Sequence, residues 1–229
     1  MPVRKKEPKD LAAKKALALE VIRRLKAEYP DAGCTLDYDH AWQLLVSVRL
    51  AAQCTDARVN IVVEELFAKY PSVAALAAAE PEDIEAIVKP CGLGHSKARD
   101  ISACMRMLRD KYGCRVPDAF EELLALPGVG RKSANLIMGD VFGKPAIVTD
   151  THCIRLCNKI GLVDGIKEPQ KVEMALWKII PPEEGSDLCH RFVMHGRAVC
   201  NARKPECEKC CLKDICRTAR EAAGQQAEP

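Results

Sequence analysis

The chain is predicted to be all-α, and three observations predict it. Apolar residues recur at three- and four-residue spacing along most of the 229 residues, the period of a helix with one buried face. No stretch alternates apolar and polar residues over a strand's length. The connections between periodic segments are short and rich in Gly and Pro, as in a compact helical array.

The helices follow in order. Leu11, Ala18, Ile22 and Leu25 share one face, and Pro30 ends that segment. Ala41 to Gln53 is apolar nearly all round, the pattern of a central buried helix. Thr55 or Asp56 caps the next helix, which runs to about Tyr70. Ser72 starts another, and Glu80-Pro81 a further one with Pro at the first helical position. Ser96 to Tyr112, Asp118 to Ala125, Gly130 to Val141 and Asp150 to Ile160 complete the series. The termini, Met1 to about Lys9 and about Thr218 to Pro229, are polar and expected to be mobile.

Composition narrows the function classes. Thirty-five Lys+Arg against 32 Asp+Glu give a net charge of +3 and a pI near 8.2. That excludes a polybasic disordered binder and an acidic solvating chain. Apolar residues at 48% and charged residues at 29% suit a packed domain, and 4% aromatics argue against a surface that stacks successive bases. No apolar run approaches the roughly 18 residues that span a bilayer, and the start has charge but no apolar stretch, so no secretory signal is expected. A cytoplasmic location with reduced thiols follows as the expectation. The basic run Arg4, Lys5, Lys6, Lys9, Lys14 and Lys15 reads as a solvated surface, with DNA phosphate as the alternative contact.

Thirteen Cys are the outlier. Nine are scattered and read as small core hydrophobes: Cys34, Cys54, Cys91, Cys104, Cys114, Cys153, Cys157, Cys189 and Cys211. The other four, Cys200, Cys207, Cys210 and Cys216, are spaced C-x6-C-x2-C-x5-C in one loop. Four thiolates this close suit tetrahedral zinc or a [4Fe–4S] cluster. A single C-x2-C pair with uneven gaps favours the cluster over zinc, and Cys211 adjoins Cys210 too closely to point the same way. Lys204, Pro205, Glu206, Glu208 and Lys209 make the loop too polar for four unrelated core cysteines. Arg203 and Lys204 stand in the first gap, where a cluster-held loop offers them to phosphate.

Leu126-Pro-Gly-Val-Gly130 joins two helices. Gly128 and Gly130 permit positive φ and close approach of a neighbouring backbone, and the second helix then opens with N–H groups suited to phosphate. Arg131 and Lys132 begin that helix; Ala134, Ile137, Met138 and Val141 form its buried face. The helix dipole, Arg131 and partial burial all disfavour the ammonium form of Lys132, which suits Schiff-base chemistry. A phosphate-binding lysine fits the same local sequence. Asp150, in Val148-Thr-Asp-Thr-His152, reads as an N-cap or as a carboxylate stabilising a sugar cation, and the local sequence leaves both open.

Hairpin, Leu126-Pro-Gly-Val-Gly-Arg-Lys-Ser-Ala-Asn135, Val148-Thr-Asp-Thr-His152, and His195-Gly-Arg197 leading into the cysteine loop together resemble the endonuclease III family. These are helix-hairpin-helix DNA glycosylase/AP lyases for oxidised pyrimidines. The resemblance runs from about Leu11 to Cys216 and takes in Leu50-Ala-Ala-Gln-Cys-Thr-Asp56 and Gly92-Leu-Gly-His-Ser-Lys97. It implies two helical domains with a DNA-binding cleft between them. One is a six-helix barrel over 31–145 with the hairpin; the other combines 10–30 with 146–217 and holds a [4Fe–4S] cluster on the four cysteines. It implies Lys132 as nucleophile, Asp150 as catalytic carboxylate, and DNA contacts at Gln53, Leu93, Gly128, Gly130, Arg131, His152, Arg203 and Lys204. Gln53 fills the space of a flipped base and Leu93 acts as a wedge. The implied partner is duplex DNA with damaged or abasic sites, bound by a nucleoid-associated monomer.

The family's adenine glycosylase relatives lack such a lysine, and relatives acting on oxidised guanine lack the cysteine loop. Gly94-His95 departs from the expected Tyr-Asn beside the wedge, Thr149 replaces an apolar residue, and Gly139-Asp140 stands where Asn-Thr is typical. The alternatives are a non-catalytic damage-binding iron–sulfur module, a glycosylase of altered base specificity, and a zinc-stabilised helical DNA binder.

Overall fold

The computed structural model describes residues 9–226, and among these there are twelve α-helices, three short 3-10 turns and no strand. Arg4, Lys5 and Lys6 of the basic run lie outside the described residues. Lys14 ion-pairs with Asp164 and Asp10. No helix is long and apolar enough to cross a membrane. The chain divides into two compact units: Cys34–Lys144, and the described segments up to Gly33 and from Pro145 onward.

In the unit Cys34–Lys144, α2 (Ala41–Leu50), α3 (Asp56–Lys69), α4 (Val73–Ala78), α5 (Pro81–Val88), α6 (Gly94–Tyr112), α7 (Phe120–Leu124) and α8 (Arg131–Asp140) enclose one apolar core. Leu44, Leu50, Leu66, Leu76, Ile84 and Met105 are fully buried there, each worth roughly 1.5–3 kcal/mol of transfer free energy. Trp42 meets Phe67 edge to face, centroids 5.1 Å apart. Local chemistry sets the starts. Thr55 Oγ1 accepts from Arg58 N, Ser72 Oγ from Ala75 N, and Pro81 opens α5.

Two boundaries differ from expectation. α2 stops at Leu50, not Gln53, because the chain turns back with Cys54 N donating to Ala51 O and Gln53 at φ +59°. Asp118 caps nothing; it pairs with Lys144, and α7 begins two residues later without a side-chain cap.

In the other unit, α1 (Lys9–Glu28) packs on α11 (Gly185–Ala198), which also packs on α9 (Thr151–Ile160). Leu25, Leu156, Leu188 and Phe192 form its interior, and α10 (Pro169–Leu176) begins on a proline. The stretch from Thr218, expected to be a mobile tail, instead belongs to a helix, α12 (Arg217–Gln226). Arg217 holds its first turn to α9 and the following loop through Asn158 O, Val163 O and Asp164, and Thr218 Oγ1 donates to Lys159 O. Five of the nine scattered cysteines are buried; Cys114 is exposed because it closes α6 in a left-handed turn at φ +63°.

Candidate active site and cysteine loop

The hairpin lies between α7 and α8. Gly128 has φ +75°, and a Cβ there would stand 2.9 Å from Asp100 Cβ and 3.1 Å from Arg49 Cδ. It therefore needs glycine twice over, for conformation and for space, although the close neighbours are side chains rather than the expected backbone. Gly130 differs from expectation. Its φ is −95°, and a Cβ would meet nothing in the protein.

Gly130 is the N-cap of α8 and offers no side-chain cap, so the helix opens with a positive dipole end and donors suited to an anion. Arg131 stacks its guanidinium on the Phe120 ring at 4.9 Å, which orients the start of α8. Lys132 is exposed on the first turn of α8.

Asp150 does cap a helix. Its Oδ1 accepts from Cys153 N at 2.7 Å at the start of α9. The carboxylate is half-exposed, and among the described residues its Oδ2 has no hydrogen-bond partner, so one oxygen is committed to the backbone and the other is open to a ligand. Buried Ala146 to Thr149 hold it from behind, and Val148 N donates to Cys189 Sγ at 3.2 Å. His152 is half-buried against Gly196, its Nδ1 3.2 Å from Arg155 Nη2. Its ring thus packs α9 against α11.

Gln53 and Leu93 are both exposed and both left-handed, at φ +59° and +53°. Leu93 exposes 58% of its surface and is the N-cap residue of α6. A large apolar side chain held in solvent on a strained backbone suits a wedge better than a core contact.

Cys200, Cys207, Cys210 and Cys216 line one concavity with Lys159 and Lys213. Four thiols around one concavity are a donor set of the kind that holds a metal centre. Burial pushes the Cys210 thiol up to about 11 and raises Cys200, while Lys159 and Arg155 pull Cys200 back. Cations beside four sulfurs match a group that carries net negative charge as thiolates. Arg203 and Lys204 are exposed in the first gap, where Lys204 N donates to Asn201 Oδ1.

Sequence reasoning assigned no role here to Tyr29 or Arg24, and quoted His195 only as part of a motif. His195, 1% exposed, places Nε2 3.3 Å from Cys210 Sγ and Nδ1 3.0 Å from the Tyr29 hydroxyl. Burial lowers its pKa, and a neutral ring with the proton on Nε2 satisfies both neighbours: N–H to sulfur, Tyr29 O–H to Nδ1. Arg24 of α1 donates to Cys211 O at 2.8 Å and pairs with Asp214, tying α1 to the loop. A signal for His195 existed, since it falls on the apolar stripe of α11 with Leu188 and Phe192.

Known proteins share this chain's sequence pattern and fold. The sequence model of the HhH-GPD superfamily of base excision DNA repair proteins matches residues 46–182. Endonuclease III of Synechocystis sp. is 42% identical over 210 residues, covering 91% of this chain and 95% of that protein. Endonuclease III of Escherichia coli K12 is 38% identical over 202 residues, covering 88% and 95%. A trapped endonuclease III–DNA covalent intermediate superposes with a TM-score of 0.86 at 39% identity, covering 91% of this chain and 98% of that one. A thermostable thymine-DNA glycosylase, at 23% identity and a TM-score of 0.80, shares the fold. With a family model over more than half its length and such relatives over nearly all of it, the chain belongs to the endonuclease III family of the HhH-GPD superfamily.

Proposed function

We propose that the protein is a base excision repair DNA glycosylase and AP lyase for oxidised pyrimidines in duplex DNA. The observation that supports it most is Lys132: an exposed amine on the first turn of an uncapped helix, directly after a glycine turn. Phosphate binds the opening of α8 without reading sequence. The damaged nucleotide leaves the stack, which costs least where pairing is already impaired, and Gln53 and Leu93 enter the space behind it.

The neutral Lys132 amine then forms a bond to C1′ as the bond from C1′ to the base breaks and the base departs. Asp150 Oδ2 stabilises positive charge on the sugar and takes the proton from the attacking nitrogen. Asp150 returns that proton to the ring oxygen O4′ as the C1′–O4′ bond breaks, and the nitrogen lone pair forms the C1′=N bond of a protonated Schiff base, which acidifies the C2′ proton. Loss of that proton expels the 3′ phosphate oxygen and cuts the strand on the 3′ side of the lesion.

Cys200, Cys207, Cys210 and Cys216 would hold a [4Fe–4S] cluster. Bound there, it gives structural support to the loop that presents Arg203 and Lys204 to phosphate. The protein acts as a monomer on DNA.

The test is borohydride trapping on a duplex with one thymine glycol. A covalent adduct that disappears in Lys132→Ala, with duplex binding retained, is the expected result. No adduct on thymine glycol or on a plain abasic site, from brown protein that binds DNA, would favour the non-catalytic binding module.

A further inference from the structure

Lys97 is fully buried. It lies on the apolar stripe of α6, one turn before Ile101 and in line with Met105 and Leu108. Burying an ammonium is costly unless it is hydrogen-bonded, and burial pushes its pKa down. Its Nζ donates to two backbone carbonyls, Leu50 O and Cys91 O, both at 2.8 Å.

Those carbonyls have a common significance. Leu50 O is at the C-terminal end of α2, three residues before Gln53. Cys91 O is at the end of the 3-10 turn Lys89–Cys91, two residues before Leu93. Both segments end with their carbonyls directed at the same cation, and each then passes into a left-handed, exposed residue. Non-glycine residues adopt that conformation only when their surroundings impose it. On the neighbouring turn of α6, Ser96 and Asp100 hold Arg49, whose Nη2 and Nε donate to them at 3.1 and 2.7 Å.

We propose that Lys97 is a positioning residue that ties the Gln53 loop to the Leu93 loop, so that both enter the duplex as one unit when a nucleotide is extruded. This rests on the reading of Gln53 and Leu93 as the residues that enter DNA. Lys97 touches neither DNA nor the reacting atoms. Its cation sits where two chain ends carry negative partial charge, and it keeps their spacing constant while the exposed residues meet the stacked bases. Packing alone does not require a charged donor there, since the rest of the stripe is apolar.

The experiment uses the full-length protein and Lys97→Met, which keeps the length and removes both hydrogen bonds. Lys97→Leu, which removes the donor with a smaller apolar side chain, serves if the first variant does not fold. Extrusion is read by the fluorescence of 2-aminopurine placed opposite an abasic site in duplex DNA. Chemistry is read by borohydride trapping on an abasic site in a single strand, where no stack has to be opened. The expected result is a fall of about tenfold in the extrusion rate with single-strand trapping within about twofold of the parent.

A parallel loss of both signals would show a general structural defect, and an unchanged extrusion rate would show that the tie is idle. Either overturns the proposal. Gln53→Ala and Leu93→Ala are measured alongside. If they leave extrusion unchanged, the reading of the two loops fails; if they slow it while Lys97→Met does not, only the assignment of Lys97 fails.

Discussion

His195 Nε2 lies 3.3 Å from Cys210 Sγ, and 166 residues separate the same ring from its other partner, Tyr29. A hydrogen bond to a ligating sulfur favours the more negative state of an iron–sulfur cluster. His195→Phe keeps most of the volume and removes the donor. For the proposed [4Fe–4S] cluster, the expected outcome is a more negative midpoint potential, measured by voltammetry on DNA-free protein, with the helical circular dichroism retained. An unchanged potential would leave the ring a packing role only.

Arg24 clasps the cysteine loop from α1. With the proposed [4Fe–4S] cluster bound, Arg24→Ala is expected to speed iron release to a chelator by about tenfold, the scale of loss seen for a partner behind the ligands. Release kinetics followed by visible absorbance decide it.

The same clasp has a pH dependence. Arg23 first and Arg24 second hydrogen-bond the Glu20 carboxylate and hold its pKa down at about 2, below the ordinary 4.5. A carboxyl whose folded value is depressed contributes stability that is full above about 4.5 and is lost as pH falls toward 2. Glu20→Gln should therefore flatten the acid limb of the unfolding curve in that window and change little at neutral pH. Acid titration of the parent and the variant by circular dichroism makes the comparison.

The two hairpin glycines should separate. Gly128→Ala forces a side chain onto φ +75° and against Asp100, which costs about 1–3 kcal/mol. Gly130→Ala meets open space at φ −95°, so its melting temperature should stay near the parent's while a bulky DNA phosphate loses its closest approach. Thermal melts paired with anisotropy on undamaged duplex test both; equal melts for the two variants would contradict the geometry.

Asp150 combines two jobs that substitutions can part. Asp150→Asn keeps a side-chain oxygen for Cys153 N, so stability should change by a few tenths of a kcal/mol, whereas Asp150→Ala loses the cap at about 0.5–2 kcal/mol. Base release should fall in both, because both lose the charge. Melts and single-turnover release on thymine glycol duplex measure the two effects, and normal release by Asp150→Asn would return Asp150 to capping alone.

What the amino-acid order determined by itself is what lies within a turn or two of chain. The caps at Thr55, Ser72 and Asp150, the proline start at Pro81, the glycine turn before Lys132 and the single loop of four cysteines are all local, and each was legible. Local steric and hydrogen-bonding rules act over three or four residues, so a linear reading captures them.

Tertiary structure alone decided the rest. Gly128 and Gly130 look alike in sequence, and only the approach of Arg49 and Asp100 makes the first obligatory. Lys132 is exposed, while Lys97, on an otherwise apolar stripe, is a buried cation. Its acceptor at Leu50 is 47 residues away. Periodicity indicates which face of a helix is buried, but the partner that makes a buried charge tolerable comes from another segment, and only packing brings it there.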